Sequence, residues 1–180
     1  MYINPEITIA NIIAAISIII SFILVFYTYK QWKDKLKIAR ANYMNSLIEK
    51  LYNDETIAKT LYQFEYNSPW YSREFHGNEI KELAVDKTLS FLSFLCYLRQ
   101  NDVLTEKEFS YFEYKISRVI SDPQLQDYFY NLYHFARKQH TDFTYKYLYE
   151  YGDEHDLFDD DFKDKESYKK NDKYHQNINF

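Results

Sequence analysis

The sequence predicts an all-α protein in which one N-terminal transmembrane helix continues into a cytoplasmic helical bundle. Three observations carry this. Among 180 residues there are 2 Gly and 3 Pro, too few for the many tight turns of a sandwich or barrel. Residues 7–29 contain no charged side chain. Beyond them, helix-cap signatures recur, each followed by apolar residues three and four positions apart.

The first element begins at Asn4-Pro5, a cap residue and a first helical residue. The uncharged run of 23 residues would span roughly 34 Å at about 1.5 Å per residue, against a hydrocarbon core of about 30 Å. Thirteen of its residues are Ile, Leu, Val or Phe, which together favour insertion by about 4 to 8 kcal/mol. A cleaved signal peptide would need a basic start and a small-residue cleavage site; here Glu6 precedes the run and "FYTYKQW" follows it.

Lys30, Lys33, Lys35, Lys37 and Arg40 follow the span, opposed by Asp34 alone, and no basic residue precedes it. The positive-inside rule therefore puts the N-terminus outside and the body in the cytoplasm. A single membrane crossing is expected. Tyr27, Tyr29 and Trp32 fall at the depth of an interfacial aromatic belt, and the basic cluster is also able to attract anionic lipid.

No Gly or Pro interrupts the chain between Pro5 and Pro69, so the anchor continues as one helix to about Asn53. Asp54 caps a short helix burying Ile57, Leu61 and Phe64. Ser68-Pro69 opens a further turn containing Trp70, and "HGN" at residues 76–78 breaks the chain. A helix over residues 78–99 follows, with Leu83, Ala84, Phe91, Phe94, Leu95 and Leu98 as its apolar positions.

"TEKE" at residues 105–108 is a capping box ahead of Phe109, Phe112, Ile116 and Ile120. Asp122-Pro123 supplies the next cap and first residue, ahead of Leu125, Phe129, Leu132 and Ala136. A last helix is expected over residues 141–151, with Tyr145, Leu148 and Tyr149 inward. The organisation is thus an anchor (1–29), a juxtamembrane extension (30–53), a cytoplasmic helical domain (54–151) and an acidic flexible tail (152–180). Residues 150–180 hold ten acids and five Lys, so the net charge of −5 resides there and the other 149 residues balance at zero.

Chemistry-bearing patterns are sparse. One Cys and five scattered His offer no metal-ligand spacing, and no Gly-rich loop exists to cradle a phosphate. No metal, cofactor or direct nucleic-acid binding is expected, because the body has aromatics without a basic excess. Cys96 in "FLSFLCYLRQ" reads as a small buried hydrophobe. Arg137 and His140, at the end of the "DYFYNLYHF" helix, are the one cluster with catalytic residue types; a favourable cationic helix end is the simpler reading. An enzyme is therefore not expected.

The span carries a pattern of its own. At 100° per residue, Ala10, Ala14, Ser17, Ser21 and Thr28 fall within an arc of about 60°. Small residues on one face let helices approach closely, and their hydroxyls can bond across helices or face water. The expected partners are the lipid bilayer and further copies of the chain.

The stretch "DKTLSFLSFLCYLRQNDVLTEKEFSYFEYKISRVISDPQLQDYFYNLYHF", behind a single N-terminal span, resembles small anchored helical proteins of bacteria. Within that group it resembles the membrane accessory proteins encoded beside the RNA-guided RNase of type VI-B CRISPR systems. The resemblance covers most of residues 5–150 and rests on architecture and helix pattern. It implies a divergent HEPN-like domain, an oligomeric membrane pore that strengthens antiviral defence, and an RNA-guided effector as functional partner. HEPN ribonucleases use an Arg and a His on one helix with four to six residues between them, whereas Arg73 and His76, and Arg137 and His140, have only two residues between them. The alternative reading is a monomeric anchor that presents its helical body, and its acidic tail, to a cytoplasmic protein.

Overall fold

The computed structural model describes residues 9–66, 68–77 and 79–158. They form α1 (Ile9–Asn53), α2 (Glu55–Glu65), a 3-10 turn (Arg73–Phe75), α3 (Glu79–Gln100), α4 (Glu106–Ile120), α5 (Pro123–Gln139) and α6 (Lys146–Glu154). The described residues contain no strand. The chain divides into two units, Met1–Ile48 and Glu49–Phe180.

The first unit is the greater part of α1. This helix is long and apolar enough to cross a membrane: its most apolar 18 residues have a mean hydropathy of 2.8, and none of that stretch is buried by protein. The expected Asn4-Pro5 start lies outside the described residues. With no Gly or Pro inside it, α1 continues unbroken through the basic cluster to Asn53.

In the second unit α3 is central, packing against α6, α2 and α4, while α2 also packs on α4 and α4 on α5. The caps are local and form as the sequence dictates. Asp54 accepts from the amides of Thr56 (3.1 Å) and Ile57 (3.3 Å). Thr105 Oγ1 accepts from the Glu108 amide (3.3 Å), and Glu108 Oε2 accepts in return from the Thr105 amide (2.9 Å). Asp122 accepts from Gln124 (2.7 Å) and Leu125 (3.2 Å), with Pro123 as the first helical residue.

The core is aromatic and aliphatic: Ile57, Phe64, Phe109, Phe112, Ile116, Leu125, Phe129 and Leu148 are all buried. Two of the expected core positions of α3 are not. Leu83 is 66% and Phe94 44% exposed, whereas Val85, Leu89, Leu92 and Cys96 are buried. At 100° per residue Leu83 and Phe94 lie about 20° apart, just outside the half-turn of the helix that α2, α4 and α6 cover.

The last helix also differs from its expected course. It starts at Lys146, after an irregular stretch, and continues past Gly152 to Glu154. Gly152 is a packing residue: a Cβ there would lie 2.6 Å from Cε2 of Phe158 and 3.0 Å from Cγ2 of Ile120. The missing side chain lets the Phe158 ring close over the helix, leaving it 5% exposed. Asp156 turns the chain back with φ 54°, and the Leu157 amide donates to the Gly152 carbonyl (2.9 Å). The folded body therefore includes residues 152–158, which the sequence assigns to the tail; residues 159–180 lie outside the described residues.

Candidate functional site

The first candidate is the small-residue face of α1. Ala10, Ala14, Ser17, Ser21 and Thr28 are all exposed. Each hydroxyl is already satisfied one turn back in its own helix: Ser17 donates to the Ile13 carbonyl (2.9 Å), Ser21 to Ser17 (2.8 Å) and Thr28 to Leu24 (2.8 Å). This back-bonding leaves no hydroxyl proton stranded in lipid, so the face is compatible with an apolar surround. Tyr29 and Trp32 pair at 6.1 Å between ring centroids, and Lys30, Lys33, Lys35, Lys37 and Arg40 follow, all exposed.

The second candidate is a groove of about 770 Å³ between α2 and α3, floored by Trp70 and Phe75. The linker builds the floor. Gln124, on the first turn of α5, accepts from the amides of Trp70 (2.7 Å) and Tyr71 (3.0 Å) and donates to the Ser68 carbonyl (3.3 Å). One side chain thus holds three backbone groups of an irregular segment. Trp70 then packs edge-on against Phe64 (5.1 Å), Phe75 (5.3 Å) and Tyr128 (5.9 Å). On the rim Ile80 is 83% exposed, beside Leu83.

Three cations, Lys59, Lys81 and Lys87, line the groove, and among the described residues no Asp, Glu, His or Cys does. Lys59 pairs with Glu55 (2.6 Å) and Lys87 with Asp54 (2.7 Å), both outside the lining. An apolar floor under a cationic rim suits binding; the groove presents no acid or base for chemistry.

Behind this floor lies a half-buried polar chain. The Tyr71 hydroxyl lies 3.2 Å from Nε2 of His76, whose Nδ1 faces Oε1 of Glu82 at 3.5 Å. Oε2 of Glu82 accepts from the Gly77 amide (2.8 Å), where φ is +83° and glycine is the residue that adopts it without strain. One turn on, Asp86 Oδ1 accepts from the hydroxyls of Tyr128 (3.0 Å) and Tyr145 (2.6 Å). Burial first, and nearby carboxylates second, raise the Tyr71 phenol well above its ordinary value. Burial likewise raises Tyr128 and Tyr145, which share Asp86. All three remain proton donors. Their geometry ties the linker, α3 and the α5–α6 connection together, and none of them lines the groove.

Arg137 and His140 form no buried pair. Both are exposed at the end of α5, where the Arg137 guanidinium lies over the Tyr133 ring at 6.0 Å and His140 takes the left-handed capping conformation, φ 56°. Cys96 is buried, and burial pushes its thiol up to about 12. Arg99 joins α3 to α4 and α6, reaching Glu106 (3.1 Å) and Glu154 (3.0 Å) while lying over Phe109 and Tyr151. Among the described residues no cluster of His, Cys, Asp and Glu is arranged to hold a metal.

Sequence reasoning missed the groove. Its signal was present at Ile80 and Leu83 beside Lys81 and Lys87, an apolar pair on a cationic stretch of α3. The floor depends on Gln124, 54 residues away from Trp70, and no local pattern announces that bond. In comparisons with known proteins, no family model, curated protein or solved structure matches the chain.

Proposed function

We propose that this chain is a single-pass inner-membrane protein, N-terminus outside and helical body in the cytoplasm, whose spans associate through Ala10, Ala14, Ser17, Ser21 and Thr28. In the setting implied by the resemblance, the oligomer acts as a pore-forming or depolarising accessory factor in antiviral, CRISPR-linked defence. The observation carrying this reading is the continuous exposed face of small residues whose hydroxyls are satisfied within α1. A second helix can approach that face closely without leaving a donor unpaired.

The test is particle mass in detergent together with dye release from liposomes. The expected result is a multimer that leaks dye, with both properties reduced by Ser17→Leu plus Ser21→Leu. A monomeric particle, or leakage indifferent to the double substitution, overturns the reading.

The groove favours a second reading, in which the anchored body binds a cytoplasmic protein segment. A photo-crosslinker at position 83 of the membrane-embedded chain should then capture a second protein in cells. Capture no greater than from position 94, also exposed on α3, overturns it.

A further inference from the structure

We propose that the face of α1 formed by Lys30, Lys33 and Lys37 binds the headgroups of anionic phospholipids around the outside of the associated spans. This deepens the first reading above and rests on its span, its orientation and its association through the small-residue face.

The positive-inside rule counts cations and is indifferent to where they stand around a helix, so their placement is a separate observation. The helix is unbroken from the span into this segment. At 100° per residue Lys30, Lys33 and Lys37 fall within an arc of about 60°, and Arg40 continues it. The centre of that arc lies about 160° around the helix from the arc holding Ala10, Ala14, Ser17, Ser21 and Thr28. Lys35, between Lys33 and Lys37 in height, falls on the small-residue side. Helices that meet through their small residues therefore turn Lys30, Lys33 and Lys37 outward and Lys35 toward a neighbour.

These cations are exposed. Lys59 and Lys87 of the body are paired with Glu55 and Asp54, whereas Lys30, Lys33, Lys35 and Lys37 make no ion pair among the described residues. Asp34, the one acid in the segment, stands at the edge of the outward arc, about 40° from Lys30.

Their height matches the headgroup layer. Tyr29 and Trp32 pair at the inner end of the span, where an interfacial aromatic belt is expected. Headgroups extend about 5–7 Å beyond the hydrocarbon on each side. At about 1.5 Å per residue, Lys33 stands about 5 Å past Lys30, and Lys37 about 10 Å past it. Every Cα–Cβ bond of a helix tilts toward its N-terminus. In α1 that is the membrane end, so the lysine stems lean back toward the phosphates.

The test uses the full chain in phosphatidylcholine vesicles carrying a trace of spin-labelled phosphatidylglycerol or spin-labelled phosphatidylcholine. Electron paramagnetic resonance then measures the motionally restricted lipid at the protein surface. Both labels should show a restricted fraction, with phosphatidylglycerol favoured about fivefold, the contribution of one cation near the surface. Lys33→Gln should lower that preference about twofold. Lys35→Gln, an equal change of charge at nearly the same height, should leave it unchanged. Salt at about 1 M, where the Debye length is about 3 Å, should abolish it. Restricted lipid without a headgroup preference overturns this proposal alone. Equal losses from Lys33→Gln and Lys35→Gln overturn the outward placement, while particle mass judges association separately. No restricted fraction with either label would mean that α1 is not embedded, and overturns the span reading together with this one.

Discussion

The helix α1 and the body that follows it are made from the same apolar residue types, and they place them in opposite surroundings. Ile18, Ile20 and Leu24 are half exposed or more, while Ile57, Leu89 and Leu92 are fully buried. In the body, the core residues are covered by neighbouring elements, with Ile80, Leu83 and Phe94 left exposed. In α1, residues 9–43 are exposed around the whole helix, and a helix that satisfies its own backbone is one of the two structures a bilayer accepts. The comparison teaches that the same apolar residues are covered by protein in the body and left uncovered by protein in α1, which is long and apolar enough to cross a membrane.

The largest effect that tests this contrast comes from truncating a matched pair of residues. Phe112→Ala, at a fully buried site, should lower the stability of the body by about 3–5 kcal/mol. Ile18→Ala, in α1, should change it by less than about 0.5 kcal/mol. Urea unfolding of the full chain in micelles, followed by near-ultraviolet circular dichroism of the body's tyrosines, measures both. Similar losses would erase the distinction between the two units.

A smaller effect sharpens it by adding a methyl group. Gly152→Ala forces a Cβ to within 2.6 Å of the Phe158 ring and should cost about 1–3 kcal/mol. Combining it with Phe158→Leu should cost less than the sum of the two single changes, since each relieves the other. Ala14→Leu, which enlarges an exposed residue of α1, should leave the unfolding midpoint of the body unchanged. Additive losses at Gly152 and Phe158 would show that the ring does not close on the glycine.

The smallest effect is that of acid. Hydrogen bonds from Lys87 to Asp54, from Lys115 to Glu65 and from Arg99 to Glu154 hold these carboxyls below their ordinary values. A carboxyl depressed on folding stabilises the folded state above its unfolded pKa, about 3.9 for Asp and 4.3 for Glu. That contribution is lost as pH falls through the lower folded value. The body's unfolding midpoint should therefore hold from pH 7 to about pH 5 and decline below about pH 4. Lys87→Met should shrink the decline, and the helicity of α1 should not follow it. A midpoint that falls equally in the Lys87→Met chain would remove Asp54 from the account.

What the sequence made legible was local. Caps at Asp54, Thr105 and Asp122 depend on residues two or three positions away, and the span depends on composition within one segment; both read directly. Burial on α3 did not, because three helices meet it and the covered arc is set by their positions, leaving Leu83 and Phe94 outside. The glycine at 152 resembled a break because a glycine that ends a helix and one that admits a ring are the same letter. Arg137 and His140 are close in sequence, yet α5 ends between them and both are exposed. The groove was the least legible feature, since its floor is an irregular segment fixed by a glutamine from a distant helix.

That glutamine also sets an order of events. During synthesis from the N-terminus, α1 and α2 are complete before Gln124 has been added to the chain, and the three bonds that fix residues 68–71 cannot form until it has emerged and the first turn of α5 has docked. The linker must wait through the making of α3 and α4, with Trp70 unanchored and its ring uncovered. Assembly of the body is thus timed by its second-to-last element, and a chain stalled before α5 would display an aromatic segment that the finished protein conceals.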